Sequence, residues 1–449
     1  MQIDKALCVA LPDDLNGLLE RLVHPRWGLL RQVKLFPMPA NFPAFYHLHA
    51  LLSDPIQLRL RNSSPAHEHR MHLGADFRGM GFDANLVDAL HSCIGEAVER
   101  YCTALYREQD LLLAAGCELA GASELMEQMI LFSESSYGQI GFPFKLYDEK
   151  QPRRWLEGYN WTLDQTAYMP AQLVLMGYEV MHKHETLSHT NTSGQGAGLD
   201  FAQATLSALC EVVERDAFIC YWLTKTTPIA LQPTPAWIEA QPASLRALLT
   251  HPELEVLIRL LPTDLGIPVV LAALRPRGQL FACFGASCRL DLTSAVCKAV
   301  SEAAHVWSYQ HEPSLTLQPP KRATDIRSFF DHVAFYFDPK NYDNIAFLLD
   351  STASVQVLDA LSSPIDVTAQ LSEIKAKIER AGYPILLFNL NSEECLTAGY
   401  QVVKAIVPGL HPIFSGLHRV DDKRRLQRVC TYLGVETPER LNEAPHPFP

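Results

Sequence analysis

No stretch of this sequence approaches the roughly 18 consecutive apolar residues that a membrane-spanning helix needs. Its apolar runs are short, and residues 267–274 (IPVVLAAL) have the length of a buried strand. The opening residues, MQIDKALCVALPDDL, carry acids where a secretory signal would carry basic residues and an apolar core. A soluble, cytoplasmic protein is therefore expected. A basic surplus is also missing. The 38 lysines and arginines stand against 50 aspartates and glutamates, a net charge of −12, which argues against a nucleic-acid backbone binder. The 11 cysteines include no C-x-x-C pair. The apolar neighbours of Cys210, Cys283 and Cys297 fit reduced core thiols better than disulfides or a structural zinc. Histidines gather at 67–72 (HEHRMH) and 182–189 (HKHETLSH), but neither cluster has a recognised ligand spacing, and both read as polar loops.

What is present is a mixture of two periodicities. Residues 83–106, 200–224, 291–311 and 366–382 alternate as amphipathic helices. Residues 171–178, 255–261, 267–275, 279–285, 384–391 and 399–407 are short, apolar and β-branched, as strands are. The expected class is α/β or α+β, with sheets flanked by helices. With 449 residues the chain could hold several domains, yet no low-complexity linker divides it. Proline-rich points at 227–242 and 313–320 read as surface loops. Residues 445–449, PHPFP, cannot be helical and favour an extended tail.

The most informative feature is an internal echo. Residues 79–81 read GMG and are followed by Ser92, Glu96, Val98, Glu99 and Arg100. Residues 194–196 read GQG and are followed by Ser207, Glu211, Val213, Glu214 and Arg215, every position displaced by 115 residues. One such helix alone would be an ordinary solvated ion-pair stripe. Here, however, Leu90, Ile94 and Val98, and then Leu209, Val212 and Phe218, surround the acids with apolar residues. Buried carboxylates are costly unless neutralised. Mg²⁺ would neutralise them while keeping positions for phosphate oxygens, and the arginines would suit those phosphates. The G-x-G segments are expected as turns that let a ligand approach a helix N-terminus. A third segment, 285–305, adds Lys298 and Glu302 at i,i+4. On the residues alone, a structural network and a magnesium–nucleotide site both remain open.

The segment 192–218 (TSGQGAGLDFAQATLSALCEVVERDAF) resembles the signature of the YcaO superfamily, whose members bind ATP and Mg²⁺ through a glutamate-lined site. Residues 79–102 resemble its first motif and 285–305 its third. Residues 22–33 (LVHPRWGLLRQV) resemble its opening segment and 402–413 (VVKAIVPGLHPI) its closing strand region. The likeness implies a YcaO-type fold with two internally similar halves around the nucleotide, a catalytic domain over 21–449 and a short extension over 1–20. Carried over residue by residue, it implies Glu96, Glu99, Glu211, Glu214 and Glu302 as metal ligands. It implies Ser92, Glu96, Arg100, Gln203, Glu211, Arg215 and Lys298 as nucleotide contacts. Met80, Ser193, Leu199 and Gln203 depart from residues common in relatives.

The tail Pro445-x-Pro447-x-Pro449 is similar to the PxPxP end of the azoline-forming branch, where the terminal carboxylate reaches the active site. Pro445, Pro447 and the Pro449 carboxylate are thus implied catalytic elements. The implied activity is ATP-dependent cyclodehydration of Cys, Ser or Thr in a ribosomal precursor peptide to thiazoline or (methyl)oxazoline. Thioamide- or amidine-forming chemistry, or a non-catalytic scaffold, are the alternatives. Residues before about 20 are too few for a leader-binding module, so a ThiF-like partner is expected to present the peptide. A flavin-dependent azoline dehydrogenase and a homodimer within a hetero-oligomer are the further expected partners; no nucleic acid and no membrane are expected.

Overall fold

The computed structural model describes residues 11–53, 78–311, 319–326, 328–350, 354–359, 366–414 and 418–448. The 67–72 histidines and Pro449 lie outside them. The first sheet contains β1 (Leu30–Phe36), β2 (Tyr46–Leu52) and β3 (Arg78–Asp83), antiparallel in that order. The second contains β4 (Leu112–Ala114), β5 (Arg153–Asn160), β6 (Gln165–Pro170), β7 (Gln195–Gly198), β13 (Leu386–Asn389) and β14 (Gln401–Ile406). Its order is β4-β5-β13-β14-β7, with β6 beside β5. The third contains β8 (Ile229–Pro233), β9 (Leu254–Leu260), β10 (Val269–Pro276), β11 (Cys283–Cys288) and β12 (Val355–Leu358), ordered β11-β10-β9-β8-β12. Strands β3, β7 and β11 each form one edge of their sheet.

Each of these edge strands is followed by a long helix that covers its own sheet. Helix α1 (Asp13–Leu22) precedes them, and α2 (Leu86–Ala104) buries Leu90, Ile94 and Val98 against Leu48 and Ala50 of β2. Helix α3 (Phe201–Thr224) buries Leu209, Val213 and Phe218 with Val403 and Ala405 of β14. Helix α4 (Leu292–Ser308) buries Val296, Ala299 and Val300 with Val270 and Ala272 of β10. All three start at an Asx cap. Asn85, Asp200 and Asp291 accept the backbone N–H of Val87, Gln203 and Ser294, satisfying donors that a helix start leaves open. Among the described residues, no helix is long and apolar enough to cross a membrane.

The four helical segments appear within a few residues of their expected bounds, the last as α6 (Val367–Arg380), after α5 (Phe329–Phe335). Two strand assignments need correction. Residues 171–178 are not a strand. β6 ends at Pro170, and a short helix, Ala171–Val174, follows with Ala171, Val174 and Leu175 all buried. An apolar run buried on all sides carries no period to distinguish the two states. The strand expected at 279–285 begins only at Cys283, because Gly278 adopts φ 76° in the connection from β10.

One buried network anchors α3. Arg425, on α7 (Arg424–Leu433), is 1% exposed and makes a fork to Asp216, with Nε at 2.9 Å from Oδ1 and an outer nitrogen at 2.7 Å from Oδ2. Its other arm donates to Asp264 at 2.6 Å and to the Tyr383 hydroxyl at 2.9 Å. Arg425→Met would strand the Asp216 carboxylate in the core. It is expected to cost about 3–5 kcal/mol, read as a lower denaturation midpoint with an unchanged slope.

Candidate active site

The site is assembled from the edge strands. Gly79 and Gly81 lie within β3, so the first G-x-G segment is not the turn expected from sequence; in the second, Gly194 does sit in a turn at φ 79°, while Gly196 lies within β7. A Cβ on Gly79 would overlap Cys93 and Ala97, one on Gly81 would overlap Ala89 and Cys93, and one on Gly196 would overlap Ala204 and Ala208. The glycines let the following helix lie directly on the strand. Gly285 on β11 does the same for Ala299 and Ala303 of α4. Residue for residue, Gly285 is therefore the counterpart of Gly79, displaced by 206 positions.

The glutamates use the strands in two ways. The first of each pair accepts from its own strand region: Glu96 Oε2 from the Met80 N–H and Glu211 Oε2 from the Gly194 N–H, both at 2.6 Å. The second reaches the next sheet: Glu99 Oε1 accepts from Ala197 N–H at 2.6 Å and Glu214 Oε2 from Cys288 N–H at 3.2 Å. These acceptors satisfy backbone donors on or beside the edge strands. They also bring α2, α3 and α4 around one centre. Arg100 pairs with Glu96 at 2.5 Å, Arg215 reaches Glu211 at 3.5 Å and Glu214 at 3.8 Å, and Lys298 pairs with Glu302 at 2.6 Å.

The electrostatics fit a bound cation. Burial, then the neighbouring Glu211, raises the Glu99 carboxyl from 4.5 to about 8. Burial raises Glu214 to about 7, with Arg215 opposing and Glu211 assisting. Glu302 is held well below the ordinary carboxylate value, because Lys298 and His305 outweigh its burial. Among the described residues, no three carboxylate, imidazole or thiol groups converge closely enough to hold an ion alone. Mg²⁺ does not require that, since it binds through one or two carboxylates together with phosphate oxygens and water.

The other residues singled out from sequence fall around this centre. Ser92 is exposed, one turn before Glu96 on α2. The Gln203 side chain, in the first turn of α3, accepts from the Leu199 N–H at 3.2 Å. Met80 contributes its backbone to Glu96, so this contact does not depend on its side chain. Ser193 Oγ accepts from the Ile413 N–H at 3.3 Å. In the second histidine cluster, His184 bonds the Pro152 carbonyl and His189 the His418 carbonyl, roles in loop packing rather than metal binding.

The tail is docked. Residues 445–448 are buried, Trp222 Nε1 donates to the Ala444 carbonyl at 3.2 Å, and the Tyr336 hydroxyl donates to the Pro445 carbonyl. His446 stacks on His332 with ring centres 4.2 Å apart, and His332 Nδ1 donates to the His446 carbonyl at 2.8 Å. Phe448 packs on Phe218 at 4.3 Å and lies 6.0 Å from the Arg215 guanidinium. Pro445 and Pro447 thus stiffen a segment whose anchors are His446 and Phe448. Sequence reasoning passed over both, because they occupy the variable positions of PxPxP. It also passed over Lys404 on β14, 2% exposed, whose Nζ donates to the Asn191 carbonyl at 3.2 Å. A lysine inside an apolar strand was the available signal. Burial lowers it to about 8, with Glu211 acting the other way.

Burial lowers His332 from 6.5 to about 4 and His446 well below its ordinary value. The folded chain therefore binds fewer protons here than the unfolded chain. Stability from tail docking is complete above 6.5 and declines as pH falls through that value towards 4. Trp222 fluorescence, reporting the Ala444 contact, is expected to change over this window and to stay flat only when both histidines are replaced, in His332→Phe/His446→Phe.

The YcaO cyclodehydratase family model, which describes an ATP- and Mg²⁺-binding protein, matches residues 80–411. No curated protein sequence matches the chain. Among solved structures, a heterocyclase in complex with substrate and cofactor superposes with a TM-score of 0.76 at 20% identity, over 97% of this chain. This chain spans only 57% of that protein's length. YcaO from Methanopyrus kandleri bound with AMPPCP and Mg²⁺ gives 0.60 at 19% identity, covering 89% of this chain and 90% of that one. The E. coli microcin synthetase McbBCD complex with pro-MccB17 bound gives 0.60 at 13% identity, covering 93% and 96%. At such identities these likenesses speak for the fold. The family match spans most of the chain and includes all three motif helices: the chain belongs to the YcaO cyclodehydratase family of ATP- and Mg²⁺-dependent enzymes.

Proposed function

We propose that the chain is an azoline-forming cyclodehydratase of ribosomally made peptides. In the proposed reaction, a Cys, Ser or Thr side chain adds to the preceding carbonyl carbon. Phosphorylation of the resulting oxygen by ATP makes it a leaving group, and its loss completes the ring. Glu96, Glu99, Glu211, Glu214 and Glu302 would hold Mg²⁺, which supplies charge neutralisation for the phosphates. Arg100, Arg215 and Lys298 would orient the phosphates, with Ser92 and Gln203 at the rim. The Pro449 carboxylate would act as a general base or position the peptide amide.

The observation that carries the azoline reading is the docked tail. Phe448 rests against α3 beside Arg215, so the segment that distinguishes this branch is anchored next to a proposed phosphate contact. The precursor peptide is the proposed substrate. Support for a complex comes from the microcin synthetase, whose structure is of an assembly with pro-MccB17 bound. A ThiF-like protein would deliver the leader, a flavin-dependent dehydrogenase would oxidise azolines, and the chain would pair as a homodimer within the assembly. The test is ATP-dependent loss of one water per ring from a Cys-, Ser- or Thr-containing precursor peptide, with and without a ThiF-like partner. Sulfur incorporation without water loss would favour thioamide formation. ATP-independent association with the peptide and no turnover would favour the scaffold.

A further inference from the structure

The active site is built from three copies of one strand–helix unit, and the third departs from the other two at several positions, among them the second acid. The same 206-residue displacement that relates Gly79 to Gly285 relates Glu96 to Glu302, Ser92 to Lys298, and Glu99 to His305. In the first two units, the second acid reaches corresponding points on the next edge strand, Ala197 and Cys288. The 115- and 206-residue displacements map both onto Phe82 of β3. His305 completes this ring: its imidazole stacks on Phe82 with ring centres 5.2 Å apart and planes at 16°.

The imidazole is tightly held. His47 sits edge-on to it at 5.0 Å and Tyr309 at 4.9 Å. Its Nδ1 lies 3.8 Å from Glu302 Oε2, while Nε2 is buried with no hydrogen-bond partner among the described residues. An unpaired ring lone pair costs less than an unpaired N–H. The favoured tautomer therefore carries its proton on Nδ1, facing the carboxylate. Glu302 differs from Glu96 and Glu211 in that its partners are side chains, Lys298 and His305, whereas theirs include backbone N–H groups.

We infer that His305 is a positioning residue for Glu302: an imidazole clamped on Phe82 replaces the third acid and orients the third unit's carboxylate toward the cation and the nucleotide. At 3.8 Å the pair is beyond hydrogen-bond distance in the ligand-free chain, and contacts of this kind commonly tighten when ligand binds. The substitution also leaves the third unit with one acid beside Lys298, where each of the other two has two. The inference rests on the proposed role of Glu302 in the metal site.

The test measures binding of AMPPCP to the full chain as Mg²⁺ is titrated. It therefore needs neither peptide nor partner. His305→Leu keeps the volume against Phe82 and removes the donor. It is expected to raise the Mg²⁺ concentration for half-maximal binding about tenfold or more, the usual cost of losing a group that orients a ligand. His305→Gln retains an amide donor and is expected to stay much closer to wild type, and His305→Met repeats the Leu comparison with a more adaptable chain. Equal midpoints for Gln, Leu and Met variants would overturn the inference, whether unshifted or equally shifted, since packing alone would then explain the position. Glu302→Gln separates the two levels. If it leaves the midpoint unchanged, the metal role of Glu302 fails; if it shifts the midpoint while the His305 variants do not, only the positioning role fails.

Discussion

Glu99→Gln is expected to lower ATP-dependent peptide modification by about a hundredfold or more while leaving the chain folded. Removal of one preorganised charged contact in a catalytic centre has effects of about that size. The fold should tolerate the change for a specific reason. With its carboxyl raised to about 8, Glu99 is largely neutral at pH 7 in the ligand-free chain, and an amide oxygen can still accept the Ala197 N–H. The sign of the stability effect follows. A carboxyl raised from 4.5 to about 8 on folding contributes stability that is lost as pH rises through this interval. Glu99→Gln removes that loss, so the variant should become the more stable form towards pH 8. Wild-type turnover at limiting Mg²⁺ would show that Glu99 has no part in the site.

The second large effect is expected at the tail. A single glycine appended after Pro449 would move a terminal carboxylate by up to about 3.5 Å, beyond hydrogen-bond tolerance. Misplacement on that scale can cost about a hundredfold in rate. Removing 447–449 should be at least as harmful, since it also removes the Phe448 contact with Phe218. AMPPCP binding should survive both changes, because the glutamates are held by β3, β7 and β11 and not by the tail. Ring formation, followed as loss of one water per ring, would fall with nucleotide affinity intact. Unchanged ring formation in the extended chain would make the tail a passive end.

Much of this site was legible because its acids follow helical spacing. Glu96, Glu99 and Arg100, and their partners 115 residues later, lie on helices whose caps and apolar faces also show in the sequence. The third unit was less visible. It carries lysine for serine and histidine for the second glutamate, so only Gly285 and Glu302 retain the pattern. Gly194 does form the expected turn, but Gly79, Gly81 and Gly196 were misplaced, because sequence cannot tell a glycine needed for a turn from one needed for a helix lying on a strand. The tail anchors were hidden for another reason. Prolines mark its stiffness, whereas His446 and Phe448 hold it through contacts with residues more than 100 positions away.

The claim that three strand–helix units form one magnesium–nucleotide site is tested most directly by calorimetry of AMPPCP binding near pH 7.5, in buffers of different ionisation enthalpy. With Glu99 raised to about 8 and Glu214 to about 7, binding a cation to their ionised forms must release protons. The expected result is Mg²⁺-dependent binding accompanied by proton release in the wild type, with both much reduced in Glu99→Gln/Glu214→Gln. Binding that is indifferent to Mg²⁺, or equally tight with the same proton release in the double variant, would contradict the account.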